Sequence, residues 1–261
     1  MNKTIAICFA GLFALTLSAQ GPGGGRGFGF PRSQMGARLS ATPVTGAPYS
    51  ATETFASQQT LANGNQISQT RTSQVARDSQ GRTYSSTTVT PPVSSVKQPF
   101  TEITIVDPVA GYRYMLNSST MTAIQIALPK PPTGTGSTTT APPTRTGGSQ
   151  ATTTDLGTAT VNDVSATGTQ TTWTIPAGTV GNSQPIQSVR IVWVSTALKV
   201  PVEIKTTDPR RGTTDMELTS IAQSEPAASL FTVPSGYTIK TGGFGGHKAG
   251  PGSVGGQWRR Q

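Results

Sequence analysis

Between Val189 and Leu218 the chain alternates apolar and polar residues with a period of two. No amphipathic run of four helical turns occurs anywhere in it, which favours strands over helices. Val189, Ile191 and Trp193 alternate with Arg190, Val192 and Val194. Val200, Val202 and Ile204 alternate with Pro201, Glu203 and Lys205, and Met216 and Leu218 flank Glu217. Asp208-Pro209-Arg210-Arg211-Gly212 separates the second run from the third. There Pro presets φ, Asp bonds its own backbone and Gly accepts positive φ. Three consecutive antiparallel strands presenting one apolar face are expected.

The same turn chemistry recurs upstream. Ala62-Asn63-Gly64-Asn65 predicts a type I′ hairpin turn, and Arg77 to Arg82 and Asp107 to Gly111 predict two more reversals, with Asn117-Ser118-Ser119-Thr120 another. Strands are expected from Tyr49 onward, over 66–76, 83–89, around Ile103 and Ile105, over 112–116 and 121–128, and then at 156–161 and 170–175. Ser224 to Phe231 reads as one helical turn that tucks Leu230 and Phe231 into the sheet.

Composition divides the chain. Charged residues are only 12% of it, while Gly and Pro together number 50, which favours strands and turns. The formal net charge is +9, but residues 49–239 carry 12 Lys and Arg against 11 Asp and Glu. The excess sits in the flanks, so a folded basic groove for nucleic acid is not indicated. Residues 1–19 read as a secretory signal: Lys3, an apolar stretch over 5–17 too short to span a bilayer, then Ser18 and Ala19. Export to the periplasm or cell envelope follows, and cleavage near Ala19 removes Cys8, the only cysteine; the mature chain is then not an integral membrane protein. Residues 20–48 are a disordered Gly-rich tether and residues 240–261 a basic Gly-rich tail. Residues 49–239 form a single β domain, interrupted at 129–154 by a Thr/Pro/Gly-rich insertion.

Catalytic groups are scarce. The one histidine, His247, lies in the tail between Gly246 and Lys248, which excludes a Ser-His-Asp triad from the ordered part. No phosphate-binding glycine loop or Gly-x-Ser-x-Gly elbow is present, and no cofactor is indicated. Asp215 and Glu217, two apart on one strand, are a carboxylate pair in one reading and the solvent face of an amphipathic strand in the simpler one. Asp155, Asp163 and Asp208 lack the dense spacing of a calcium loop. For a ligand, the residues to watch are the aromatic walls Trp173 and Trp193 with the apolar positions Val189, Ile191, Val202, Ile204 and Leu218. The plain alternative is that the two tryptophans are core.

The series Arg77-Asp78 with Gly81-Arg82, Asp107-Pro108 with Gly111-Tyr112, Asp155-Leu156-Gly157, Thr174-Ile175-Pro176-Ala177-Gly178 with Gly181-Asn182, and Ser229-Leu230-Phe231-Thr232-Val233-Pro234-Ser235-Gly236-Tyr237 resembles a group of uncharacterised exported bacterial proteins. More remotely, the succession strand, Trp193, strand, Asp-Pro turn, strand and closing Phe-x-x-Pro is similar to the superfamily of the periplasmic outer-membrane lipoprotein carrier and the sigma-factor regulatory lipoprotein sensors. That resemblance implies a mainly β fold, an antiparallel meander forming an open, incomplete barrel, whose concave apolar face takes acyl chains or a lipoprotein. It implies no catalysis. The alternative is a structural or interaction module that binds another envelope protein.

Overall fold

The computed structural model describes residues 43–91, 98–129 and 150–242. The expected signal, most of the tether and insertion, His247 and most of the tail lie outside the described residues. Twelve strands are present: β1 Tyr49–Thr60, β2 Gln66–Arg77, β3 Thr83–Val89, β4 Phe100–Asp107, β5 Tyr112–Asn117, β6 Thr122–Ala127, β7 Gln150–Val161, β8 Val164–Ile175, β9 Ile186–Ser195, β10 Val200–Asp208, β11 Gly212–Ala222 and β12 Thr238–Thr241. A 3₁₀ turn at Ala228–Phe231 is the one helical element among the described residues. All strands join one open sheet in the order β12-β6-β5-β4-β3-β2-β1-β11-β10-β9-β8-β7. It is antiparallel except for β12 on β6, and it does not close, as the half-barrel expectation requires.

Two meanders make up the sheet, β1 to β6 and β7 to β11, and they are joined where β1 pairs with β11. Asx turns set the hairpins. The Asp107 carboxylate accepts the Val109 and Ala110 amides at 2.9 and 2.8 Å, and Gly111 closes the turn at φ 77°. Asp208 accepts the Arg210 amide at 2.8 Å, with Gly212 at φ 87°. A polar side chain thus stands in for a backbone partner, and the last residue takes the left-handed conformation that restarts the strand.

Three expectations need correction. The type I′ turn is not at Asn63-Gly64, because only Gly64 has positive φ (80°) and the connection is a five-residue loop closed by the Gly64 amide on the Leu61 carbonyl at 2.9 Å. Type I′ geometry needs two left-handed residues, and it is found at Asn162 and Asp163 (φ 49° and 66°), which join the paired Val161 and Val164. Residues 150–154 belong to β7, not to the insertion, since each pairs with β8. Lys240 and Thr241 likewise extend β12 beyond the expected end of the domain.

Two apolar clusters hold the sheet. At one end, Tyr49, Ala51, Val75, Val164, Ala166, Leu198, Val202 and Leu218 pack together. On one face of β4 to β6, Ile105, Leu116 and Ala123 pack with Tyr84, Tyr114, Val233 and Tyr237. The second cluster exists because residues 223–237 must travel from β11, at the centre of the sheet, to β12 at its edge, and they cross this face as a strap. Phe231 is buried as expected, whereas Leu230 is only half-buried. Glu225 accepts the Ser79 amide at 3.2 Å, and the Arg82 guanidinium lies 5.1 Å from the Phe231 ring centre. Arg82 is itself held by Asp78, whose carboxylate is buried and 2.5 Å from the Arg82 Nε.

Candidate functional site

Register decides which side chains share a face, because directly opposed residues in an antiparallel pair point the same way. Ile204 opposes Val192 and Met216, and Phe55 opposes Met216 in turn. Leu218, two residues from Met216, and Trp173, opposite Ser188, lie on this same face. Trp193, Ile191 and Val189 oppose Glu203, Lys205 and Thr207 and therefore point the other way. The seven residues expected to line one surface are divided between two. The cause is a β-bulge between Pro201 and Glu203, where the extra residue Val202 shifts the register of β10 on β9 by one. One added residue reverses the facing of everything beyond it.

The individual placements sharpen this. Val202 and Leu218 are 0% and 2% exposed and belong to the end cluster. Trp193 is half-buried, packs against that cluster and lies over Gly168, where an added Cβ would stand 2.6 Å from the indole. Trp173 is half-buried across from Ala151 and Ser188. Ile204 is buried, while Val189 and Ile191 remain half-buried.

Asp215 and Glu217 share the Trp193 face with Lys205 and Glu203, as their cross-strand pairing dictates. Lys205 Nζ is 3.2 Å from Glu203. The hydrogen bond to Glu203 holds the ammonium above its ordinary range against a smaller opposing effect of burial, with the charges of Glu203, Asp215 and Glu217 adding to it. A lysine among three carboxylates is an ion cluster on a half-exposed face, and such clusters contribute little stability. Asp155 and Asp208 have local duties: Asp155 accepts the Gly157 amide at 2.8 Å in the β7 bulge. Asp208 accepts from Arg210 and from the Ser188 hydroxyl, and those bonds, Arg210 first, hold its carboxyl down at about 2.

Two concavities among the described residues bear on the site. A cleft of about 260 Å³ lies at the β10–β11 hairpin against the end of β1, lined by Gln58, Thr60, Thr207, Asp208, Arg210 and Thr213 among others. An apolar pocket of about 90 Å³ lies beneath the strap, between Tyr84, Ile103 and Ile105 of the sheet and Leu230, Thr232 and Pro234 above. Phe231 at the strap was legible from its sequence; the pocket itself depends on β12 pairing parallel to β6, for which the sequence carries no local signal.

Two buried arginines were not anticipated. Arg77, 4% exposed, donates from Nε and Nη2 to the Ala47 carbonyl at 3.1 and 2.7 Å and from Nη2 to the Leu198 carbonyl, and stacks 5.1 Å from the Tyr49 ring centre. Arg113, 8% exposed, has a buried Nε with no acceptor. Burial lowers both guanidinium pKa values; for Arg77 the nearby Tyr49 opposes that effect. No local signal marks Arg113, because it alternates with Tyr112 and Tyr114 of the strap face and so reads as an outward position.

No protein-family model matches the sequence, and no curated protein matches it. Solved structures with a partial likeness include an uncharacterized conserved protein from Thermus thermophilus, 10% identical with a TM-score of 0.38, over 80% of this chain and 98% of that one. The MucA/MucB complex of Pseudomonas aeruginosa is 9% identical with a TM-score of 0.38 over 75% of this chain; the match spans 59% of that chain. A domain from Vibrio parahaemolyticus assigned to outer membrane lipoprotein sorting is 9% identical with a TM-score of 0.28, over 76% and 94% of the two chains. These neighbours include the kind of protein that the sequence remotely resembles. At TM-scores below 0.5 they carry nothing about ligand or partner.

Proposed function

We propose that this chain is an exported, non-catalytic binding protein of the cell envelope, and that its ligand is an acyl chain or the lipidated part of a lipoprotein. The observation that supports the reading is the pocket beneath the strap. Two apolar layers, Tyr84, Ile103 and Ile105 below and Leu230 and Pro234 above, meet without filling the space between them. The upper layer is a largely irregular segment with one 3₁₀ turn, so enlarging the pocket requires moving a strap and not breaking a sheet. At about 90 Å³ the pocket takes the first few carbons of a hydrocarbon as it stands, and a longer chain enters only with the strap lifted.

The test is native mass spectrometry of the chain purified gently from its own envelope, with solvent extraction of whatever accompanies it. A discrete added mass that resolves into acyl species supports the reading, and Leu230→Asp should remove that mass. A bare chain under conditions that keep known lipid carriers loaded would sink it. The open sheet edges would then favour an interaction module, with cross-linking to a protein partner as the next measurement.

A further inference from the structure

On the face of β4 to β6 opposite the strap, Arg113 stands between Val106 and Ile126, its direct neighbours across the two flanking strands. Met115, two residues along on the same face, opposes Ile124; these two are 39% and 41% exposed. The surroundings of the guanidinium are therefore aliphatic. No hydrogen bond or ion pair to it occurs among the described residues, and its Nε is fully buried without an acceptor. The acids nearest in sequence do not reach it. Asp107 alternates to the strap face and is occupied by the Val109 and Ala110 amides. Glu102 shares Arg113's face but lies opposite Asn117, four residues further along β5.

Arginine keeps its charge at any physiological pH, and a guanidinium nitrogen buried without an acceptor carries a desolvation cost that nothing among the described residues offsets. Arg77, on the same face three strands away, shows the usual remedy in its two carbonyls. For Arg113 the described residues supply none.

We propose that the Arg113 face of β4 to β6 binds the anionic headgroup of an acyl amphiphile, the guanidinium taking the phosphate or carboxylate oxygens and Met115 and Ile124 the first carbons of the chain. A planar guanidinium pairs such oxygens through two parallel N–H bonds. The exposed aliphatic pair beside it is what separates an amphiphile from a small free anion. This site is on the other face from the strap pocket, and its failure leaves the reading above standing.

The experiment measures binding of decyl phosphate, decanol and inorganic phosphate, each below its aggregation limit, to the lipid-stripped full chain and four variants. The wild type should bind decyl phosphate about tenfold or more tightly than either decanol or inorganic phosphate. Arg113→Met should abolish the preference over decanol. Ile126→Glu should do the same while keeping the arginine, because it places a carboxylate directly across from it. Arg113→Lys should keep part of the preference, and Val180→Ser, at an exposed position outside both sites, should keep all of it. Equal binding of decyl phosphate and decanol by the wild type overturns the proposal, as does a preference that survives both Arg113→Met and Ile126→Glu. Inorganic phosphate binding as tightly as decyl phosphate overturns the lipid source. A preference lost in Val180→Ser as fully as in Arg113→Met is not specific to the Arg113 face and also overturns it.

Discussion

The two buried arginines should respond to the same substitution with opposite signs. Arg77 donates three hydrogen bonds to the carbonyls of Ala47 and Leu198 and stacks on Tyr49. In Arg77→Met both carbonyls lose these donors, at about 1–3 kcal/mol each, and a cation–π contact worth about 1 kcal/mol goes too. Relief from desolvating the cation returns part of this, leaving a net loss of about 3 kcal/mol. For a chain of this size that is roughly 6–12 °C in Tm. In Arg113→Met nothing is stranded, because Arg113 has no acceptor to lose. The desolvation penalty disappears and the methionine packs against Val106 and Ile126, for a gain of about 1–3 kcal/mol in the ligand-free chain. Urea unfolding of the two variants, followed by tryptophan emission, reads both changes from midpoint and slope. If Arg113→Met costs as much as Arg77→Met, the folded protein supplies Arg113 with an acceptor, and the reasoning behind the headgroup site fails.

Other elements give separate tests. Gly168→Ala pushes a methyl into the Trp193 ring; overpacking of a rigid aromatic should cost about 1–3 kcal/mol, with a shifted emission spectrum, and an unchanged unfolding midpoint would contradict the packing described. Because the folded Asp208 carboxyl is held at about 2 against an ordinary 3.8, its contribution is fully present above pH ~4 and is lost as pH falls from there toward ~2. Asp208→Asn should flatten that limb of the stability–pH curve and leave the neutral-pH slope alone, and an unaltered acid limb would count against it. Asp163→Gly, at φ 66° in the two-residue turn, should stabilise by about 0.5–1 kcal/mol as measured by thermal unfolding, and a loss would show that Asp163 has a partner there. Phe231→Ala should cost about 3–5 kcal/mol and raise proteolysis within residues 223–237; resistance of the strap to protease would contradict its dependence on that ring.

What could be read from the sequence was what depends on neighbours in the chain. Asp107 with Gly111 and Asp208 with Gly212 specify their turns within five residues, so the hairpins they make were legible. The inward residues of β10 and β11 follow from alternation alone. The bulge at Val202 leaves no such trace, because an extra residue within an apolar run looks like the run itself. For that reason alternation alone sets the Val189, Ile191 and Trp193 row on the Ile204 face, whereas the register sets it on the other. Thr152, Thr153 and Thr154 have the propensity of strand, but with every residue of β7 from Gln150 to Thr160 exposed there is no alternation to separate them from a linker. Arg113 was invisible for another reason. Its significance lies in a missing partner, and a missing partner is defined only when everything around it has been placed.

The pairing of β1 with β11 has a kinetic consequence. Thr52 and Thr219 face each other across that junction although 167 positions separate them in the chain. A strand formed among the first can therefore find one of its two neighbours only after nearly the whole domain has emerged. Until then the first meander exposes the full length of β1 as an unpaired edge, open to self-association. Closing so long a loop makes late docking of the two meanders a slow step, and anything that covers the β1 edge during that interval would change the yield of folded protein as well as its stability.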